Sequence, residues 1–120
     1  MGNKYKIGES DIRPWGKYKV MDTGANFAVK QIEVNPGGIL SYQRHQFRAE
    51  HWIMVQGSGV VTLDDKRFII GQYEHIFIPA KSWHRIENSG SKPLIFIEVQ
   101  TGENLDESDI ERKDDKYSRV

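Results

Sequence analysis

Cysteine is absent from this chain of 120 residues. Its absence excludes disulfides, thiolate metal sites and cysteine nucleophiles. A bound metal would have to use nitrogen and oxygen ligands, from His, Asp, Glu, Asn or Gln. Net charge of either sign is also missing, because 17 Lys and Arg balance 17 Asp and Glu. That balance leaves no global field to attract nucleic acid or an anionic membrane, so neither partner is expected. Long apolar runs are lacking as well, and none approaches the ~18 residues of a membrane span. The stretch up to Val20 carries lysines with no apolar run behind them, unlike a secretory signal. The expected setting is the cytoplasm. Internal repeats, low-complexity segments and a readable amphipathic helix before residue 100 are missing too.

What is present is a series of short runs rich in Val, Ile, Phe and Tyr. They include Phe27-Ala28-Val29, Trp52 to Val55, Val60 to Leu63, Phe68 to Ile70, Ile76 to Ile78 and Leu94 to Ile97. β-branched and aromatic residues suit a pleated, half-buried surface. Turn-forming residues separate the runs, as in Asn35-Pro36-Gly37-Gly38, Gln56-Gly57-Ser58-Gly59 and Pro79-Ala80-Lys81-Ser82. Short strands between regular turn signals predict an all-β sandwich or barrel. Val60–Leu63 and Phe68–Ile70 flank Asp64-Asp65-Lys66-Arg67 like a hairpin. The length suits one domain, expected over 1–120, with a core at about 11–100 and a polar tail at 101–120 that is extended or short-helical.

The stretch Gly38 to Gly57 carries the chemistry. If Leu40 to His45 is extended, Gln43 and His45 lie two apart and share a face. A turn over Gln46–Ala49 would reset the phase and return Glu50 to that face at the start of the next strand. One amide oxygen, one imidazole and one carboxylate would then converge. His51 follows Glu50 and is expected to face away. A fourth ligand could come from the second informative stretch, Gly71 to Asn88, which contains His75 and His84.

Together the two stretches resemble the paired motifs of the cupin superfamily. Gly38, Gln43, His45, Glu50 and Gly57 fit the first motif, and Gly71, Pro79, His84 and Asn88 fit the second. The resemblance implies a double-stranded β-helix, or jelly-roll barrel, and a metal held by Gln43, His45, Glu50 and His84. Gln43 replaces the usual first histidine, and a Gln-His-Glu-His set resembles phosphomannose isomerases. Arg13-Pro14-Trp15-Gly16, Arg48-Ala49-Glu50-His51-Trp52, Glu98-Val99-Gln100-Thr101-Gly102 and Asp109-Ile110-Glu111-Arg112 sharpen the likeness. They are similar to the type II mannose-6-phosphate isomerase domain, which usually follows a mannose-1-phosphate guanylyltransferase domain. The likeness runs from about Asp11 to Arg119 and includes Asp115 and Tyr117 in the tail. The sequence departs from that pattern at Gln46 and Phe47, where histidines are common, at Lys81 in place of a glycine, and at Trp83 in place of a frequent lysine.

The resemblance implies interconversion of mannose 6-phosphate and fructose 6-phosphate, with a small phosphorylated sugar as partner. Two histidines with a carboxylate and an amide oxygen favour zinc, with manganese, iron, cobalt and nickel as further options. Glu50 and Lys81 are the two candidates for the base that moves the proton. Arg48 is the first choice for gripping the phosphate, with Arg44, Arg85 and Arg112 also available. Arg85 adjoins His84, so a regular strand turns it away. Alternatives are another metal cupin enzyme, such as a dioxygenase, or a non-catalytic sugar-binding module. A homodimer is expected on fold analogy, because exposed strand edges need covering.

Overall fold

In a computed structural model, residues 2–114 and 116 are described, and they contain thirteen strands and no helix. In chain order these are β1 (Gly2–Asn3), β2 (Ser10–Arg13), β3 (Gly16–Thr23), β4 (Phe27–Val34) and β5 (Tyr42–Arg44). They continue as β6 (Arg48–Gln56), β7 (Gly59–Leu63), β8 (Lys66–Ile70), β9 (His75–Ile78) and β10 (His84–Glu87). The last are β11 (Leu94–Gly102), β12 (Asn104–Leu105) and β13 (Glu111–Asp114). No described helix is long and apolar enough to cross a membrane.

Two antiparallel sheets form the barrel walls, one ordered β2-β3-β4-β11-β6-β9 and the other β13-β5-β10-β7-β8. All six apolar runs lie wholly or largely in strands. The hairpin between β7 and β8 turns on Asp64 and Asp65, at φ 46° and 69°. Two successive positive φ values give the twist that matches the flanking strands. Gly57 turns between β6 and β7 at φ 78°, a region open to glycine at little cost. The turn after His45 is tighter than expected. Only Gln46 and Phe47 bend, and Ala49 already belongs to β6.

The tail is extended rather than helical. β13 pairs with β5, and β12 pairs in parallel with β1. Asp115, Tyr117 and Arg119 lie outside the described residues.

The barrel interior is divided. Trp15, Ile32, Val34, Leu40, Trp52, Met54, Val61, Ile70, Ile78, Ile86, Leu94 and Phe96 form the larger apolar core. Tyr5, Val20, Ala28 and Leu105 form a smaller one. Each large side chain fully buried there contributes roughly 1.5–3 kcal/mol. Polar side chains occupy the rest of the interior. Inward-facing Lys30 on β4 opposes Glu98 on β11, and Gln100 on β11 opposes Glu50 on β6. All four are at most 5% exposed. Opposed residues on a ladder share one face, so neighbouring strands place these groups side by side inside the barrel.

Candidate metal centre and cavity

His45 follows β5, Glu50 sits in β6 and His84 opens β10. One ligand atom from each falls within 4.8 Å of the others. His45 Nε2 is 3.3 Å from Glu50 Oε2, and His84 Nε2 is 3.8 Å from Glu50 Oε1. Ligands bound to one ion at about 2.1 Å in a tetrahedron stand roughly 3.4 Å apart. Both spacings are near that value, each to a different oxygen of the Glu50 carboxylate. Gln43 is the Cα partner of His84, so its amide lies on the same sheet face.

Both imidazoles are prepared as ligands. His45 Nδ1–H donates to the Asp109 carbonyl at 2.6 Å, and His84 Nδ1–H donates to the Ser82 carbonyl at 2.9 Å. Each bond leaves the Nε2 lone pair facing Glu50, the arrangement that orients ligating histidines. Burial keeps both rings neutral. It lowers His45 to about 4, against the opposing pull of Glu50, and it lowers His84 as well. His84 Nε2 is buried with no hydrogen-bond partner among the described residues. A buried nitrogen of this kind calls for a partner, and a cation supplies one. Glu50 stays ionised: burial raises its pKa, but Arg48, His45 and His84 outweigh burial and hold it well below the usual carboxylate range.

Asp109 fixes this corner from the tail. Its carboxylate accepts the backbone N–H of Gln46 at 2.9 Å and of Phe47 at 3.0 Å. Its carbonyl is the partner of His45, so one residue clamps both the turn and the ligand. Gly102 lies opposite Arg48, and a Cβ there would overlap the Phe47 carbonyl oxygen. Glycine allows β11 to approach the same turn closely.

Beside His45 opens a small cavity of about 70 Å³. Gln43, His45 and Arg48 line its metal side. Arg13, Lys30, Arg112, Tyr18, Glu98 and Glu107 line the remainder, with Trp15, Ile32, Leu40 and Ile110 as apolar wall. Lys30 Nζ binds Glu107 Oε1 at 2.7 Å and the Tyr5 hydroxyl at 3.1 Å. Burial pushes Glu98 up to about 7, helped by the charge of Glu50 and opposed by Lys30 and Arg48.

The structure sorts the other sequence-derived candidates. Arg48 is buried in the cavity wall, but its nitrogens donate to Glu50 Oε2 (2.9 Å), His45 Nε2 (3.1 Å) and the Tyr5 hydroxyl (3.2 Å). Its fork is turned toward the ligand cluster. Arg112, the Cα partner of Gln43, lines the cavity. Arg44 and Arg85 stand on the outer face and do not line it. Arg44 pairs with Glu111 over the Trp83 ring. Arg85 binds the Leu40 carbonyl at 3.0 Å and Asp114 at 3.2 Å. Lys81 is exposed in the turn after β9, at φ 71°, where its backbone N–H donates to the His45 carbonyl at 2.7 Å. His51 faces outward as expected and packs on Phe77. Trp52 faces inward, and its indole N–H donates to Glu50 Oε1 at 3.0 Å.

Lys30, Arg13, Tyr18, Glu98 and Glu107 carried no site assignment from sequence. Lys30 left one signal, because it interrupts the apolar alternation Ala28, Ile32, Val34. Glu98 left none. On β11 the outward parity Ile95, Ile97, Val99 is wholly apolar, which points Glu98 and Gln100 to solvent, the reverse of their burial.

Residues 2–115 match the family model described as "Mannose-6-phosphate isomerase C-terminal". The chain belongs to this family. It is 51% identical over 108 residues to the alginate biosynthesis protein AlgA of Pseudomonas aeruginosa, covering 90% of this chain and 22% of that protein. It is 43% identical over 118 residues to the mannose-1-phosphate guanylyltransferase of Escherichia coli, covering 98% of this chain and 25% of that protein. The chain thus spans a quarter or less of these relatives. Among solved structures, it is similar to the oxalate decarboxylase of Lactobacillus farciminis, at a TM-score of 0.74 and 23% identity over 87% of this chain and 33% of that one. It is also similar to a putative sugar phosphate isomerase of Acidithiobacillus ferrooxidans, at a TM-score of 0.66 and 19% identity over 78% and 67% of the two chains. A Schizosaccharomyces pombe cupin domain matches at a TM-score of 0.67 and 16% identity, over 72% of this chain and 64% of that one. The fold of this mannose-6-phosphate isomerase C-terminal family member is that of a cupin.

Proposed function

We propose that this chain is a metal-dependent aldose–ketose isomerase that interconverts mannose 6-phosphate and fructose 6-phosphate. The observation that carries the reading is a cluster of two neutral imidazoles and a carboxylate, of which His45 lines a cavity that also holds Arg13, Lys30 and Arg112. The chemistry needs both halves. His45, Glu50 and His84, with Gln43 beside them, would hold one divalent ion, zinc by preference. A bound ion supplies positive charge against the oxygens on C1 and C2, where negative charge develops. Arg13, Lys30 and Arg112 face a phosphate at the far end of the sugar. Trp15, Ile32 and Leu40 exclude water from the side of the cavity. This reading sets the protein in the cytoplasm, with a small phosphorylated sugar as its ligand.

A homodimer accompanies the reading. The outer face of the larger sheet presents Ile53, Val55 and Phe77, each at least 39% exposed. Ile97, opposite Ile53, extends that face, which suits burial against a second copy. Sedimentation at equilibrium checks it, and a monomer at all concentrations refutes it.

The deciding experiment is a coupled assay of mannose 6-phosphate turnover, using chelator-stripped protein refilled with each divalent metal. Turnover restored by zinc or another divalent ion is the expected result. Stoichiometric metal binding with no turnover under any metal overturns the isomerase reading.

A further inference from the structure

An isomerase of this kind must carry a proton between C2 and C1, so the identity of the proton carrier rests on the proposed isomerase activity. The two sequence-derived bases are poorly placed for that task. Glu50 has both oxygens engaged, Oε1 by the Trp52 indole and Oε2 by the Arg48 guanidinium. The same oxygens face the two histidines. Lys81 is exposed and absent from the cavity wall. Among the carboxylates that line the cavity, Glu107 is paired with Lys30 and its side chain is 43% exposed. Glu98 remains.

Glu98 is 5% exposed and lines the cavity. Its Oε1 accepts a hydrogen bond from Gln100 Nε2. Its Oε2 takes no hydrogen bond among the described residues and is not fully shut off from solvent. Gln100 is the ladder partner of Glu50, which puts Glu98 diagonally across from Glu50. Such diagonal neighbours stand roughly 7 Å apart. We propose that Glu98 is the acid–base residue of the isomerisation, taking the proton from C2 of the aldose phosphate and returning it to C1.

The step balances without a further reactant. The C2–H bond breaks, and its proton forms an O–H bond on Glu98 Oε2. The C–H electron pair becomes the C1–C2 double bond, and the C1 carbonyl π pair moves onto O1, giving an enediolate. The O2 proton passes to O1. The O2 electron pair then forms the C2 carbonyl, and C1 takes the proton back from Glu98, which is again a carboxylate. Gln100 serves both protonation states. Its Nε2 donates to the carboxylate, while its Oε1 is buried with no partner among the described residues. A half-turn of the amide offers that oxygen to the carboxylic acid.

The test compares wild type, Glu98→Gln, Glu98→Asp and Glu98→Ala as full chains, each assayed for bound zinc, kcat, KM and exchange of the C2 proton with deuterated water. General acid–base groups contribute roughly 100- to 10,000-fold. Glu98→Gln is expected to lose kcat by that factor and to lose exchange, with KM and zinc content retained. Glu98→Asp is expected to fall between, and formate is expected to restore part of the activity of Glu98→Ala. A kcat for Glu98→Gln within threefold of an active wild type overturns the assignment alone. So does a zinc-loaded Glu98→Ala that is inactive and not rescued while Glu98→Gln still exchanges the C2 proton. An inactive but zinc-loaded wild type overturns the isomerase reading, and this one with it.

Discussion

Removing the Asp109 carboxylate should loosen the barrel and the metal centre together. In Asp109→Ala the backbone carbonyl that orients His45 remains, while the two bonds to the Gln46 and Phe47 N–H groups are lost. Hydrogen bonds to a charged group contribute about 1.5–3 kcal/mol each. The turn is partly open to water, which can replace the lost acceptor, so the low end applies. The expected loss of unfolding free energy is about 3 kcal/mol. Asp109→Asn keeps one acceptor oxygen and should lose about half as much. The released turn carries His45, and weakening the support of a ligating histidine typically lowers metal affinity by about 10- to 100-fold. Urea unfolding of the metal-free protein gives the first quantity, and competition against a zinc indicator gives the second. Wild-type stability and wild-type zinc affinity in Asp109→Ala would refute the reasoning, because the tail would then be resting on the site without holding it.

Other substitutions probe the remaining groups. Arg48→Ala should cost about 3–5 kcal/mol in metal-free protein, since it leaves the buried Glu50 carboxylate without its cation; a neutral effect on urea unfolding would contradict this. Lys81→Gly should raise stability by up to about 1 kcal/mol by relieving the left-handed backbone at φ 71°, with kcat unchanged, and a collapse of kcat would reinstate Lys81 as the base. Arg112→Ala should raise KM for mannose 6-phosphate at least about tenfold while bound zinc stays constant, and unchanged kinetics would remove it from the phosphate end. Glu98 gives a pH signature in the metal-free state. Its pKa is raised from the ordinary 4.5 to about 7, so the folded protein holds a proton that the unfolded chain releases between those values. Stability therefore falls as pH rises through that window, by up to about 3 kcal/mol. Glu98→Gln should be the more stable protein at about pH 8, with the advantage shrinking toward pH 4.5; a pH-independent difference would count against the buried ionisation.

Much of the architecture was legible because local chemistry set it. Short β-branched and aromatic runs between Gly, Pro, Asp and Asn turns can form strands and little else. The alternation of β6, with Arg48, Glu50, Trp52 and Met54 inward, follows from period two once Glu50 is placed. The same rule sent His51 and Arg85 outward. His45, Glu50 and His84 were found from their spacing within two motifs, and the structure brings those three side chains together.

The rest depended on which elements meet. Whether an arginine faces a sugar or a carboxylate is not a property of its own strand. Arg48 carries the right chemistry for a phosphate, yet the turn at Gln46 and Phe47 aims it at Glu50 and His45. β11 shows the limit most clearly. Both of its parities can be read as apolar at one end, and the more apolar one faces out. Only the pairing of β11 between β4 and β6 decides that Glu98 and Gln100 point inward, to Lys30 on one side and Glu50 on the other. Composition and periodicity by themselves therefore determined an all-β sandwich or barrel, and the motif resemblance added the barrel form and the metal-competent side chains. The cavity beside them, its cations and its buried carboxylate arise from contacts between strands distant in the chain, and only the tertiary structure decided those.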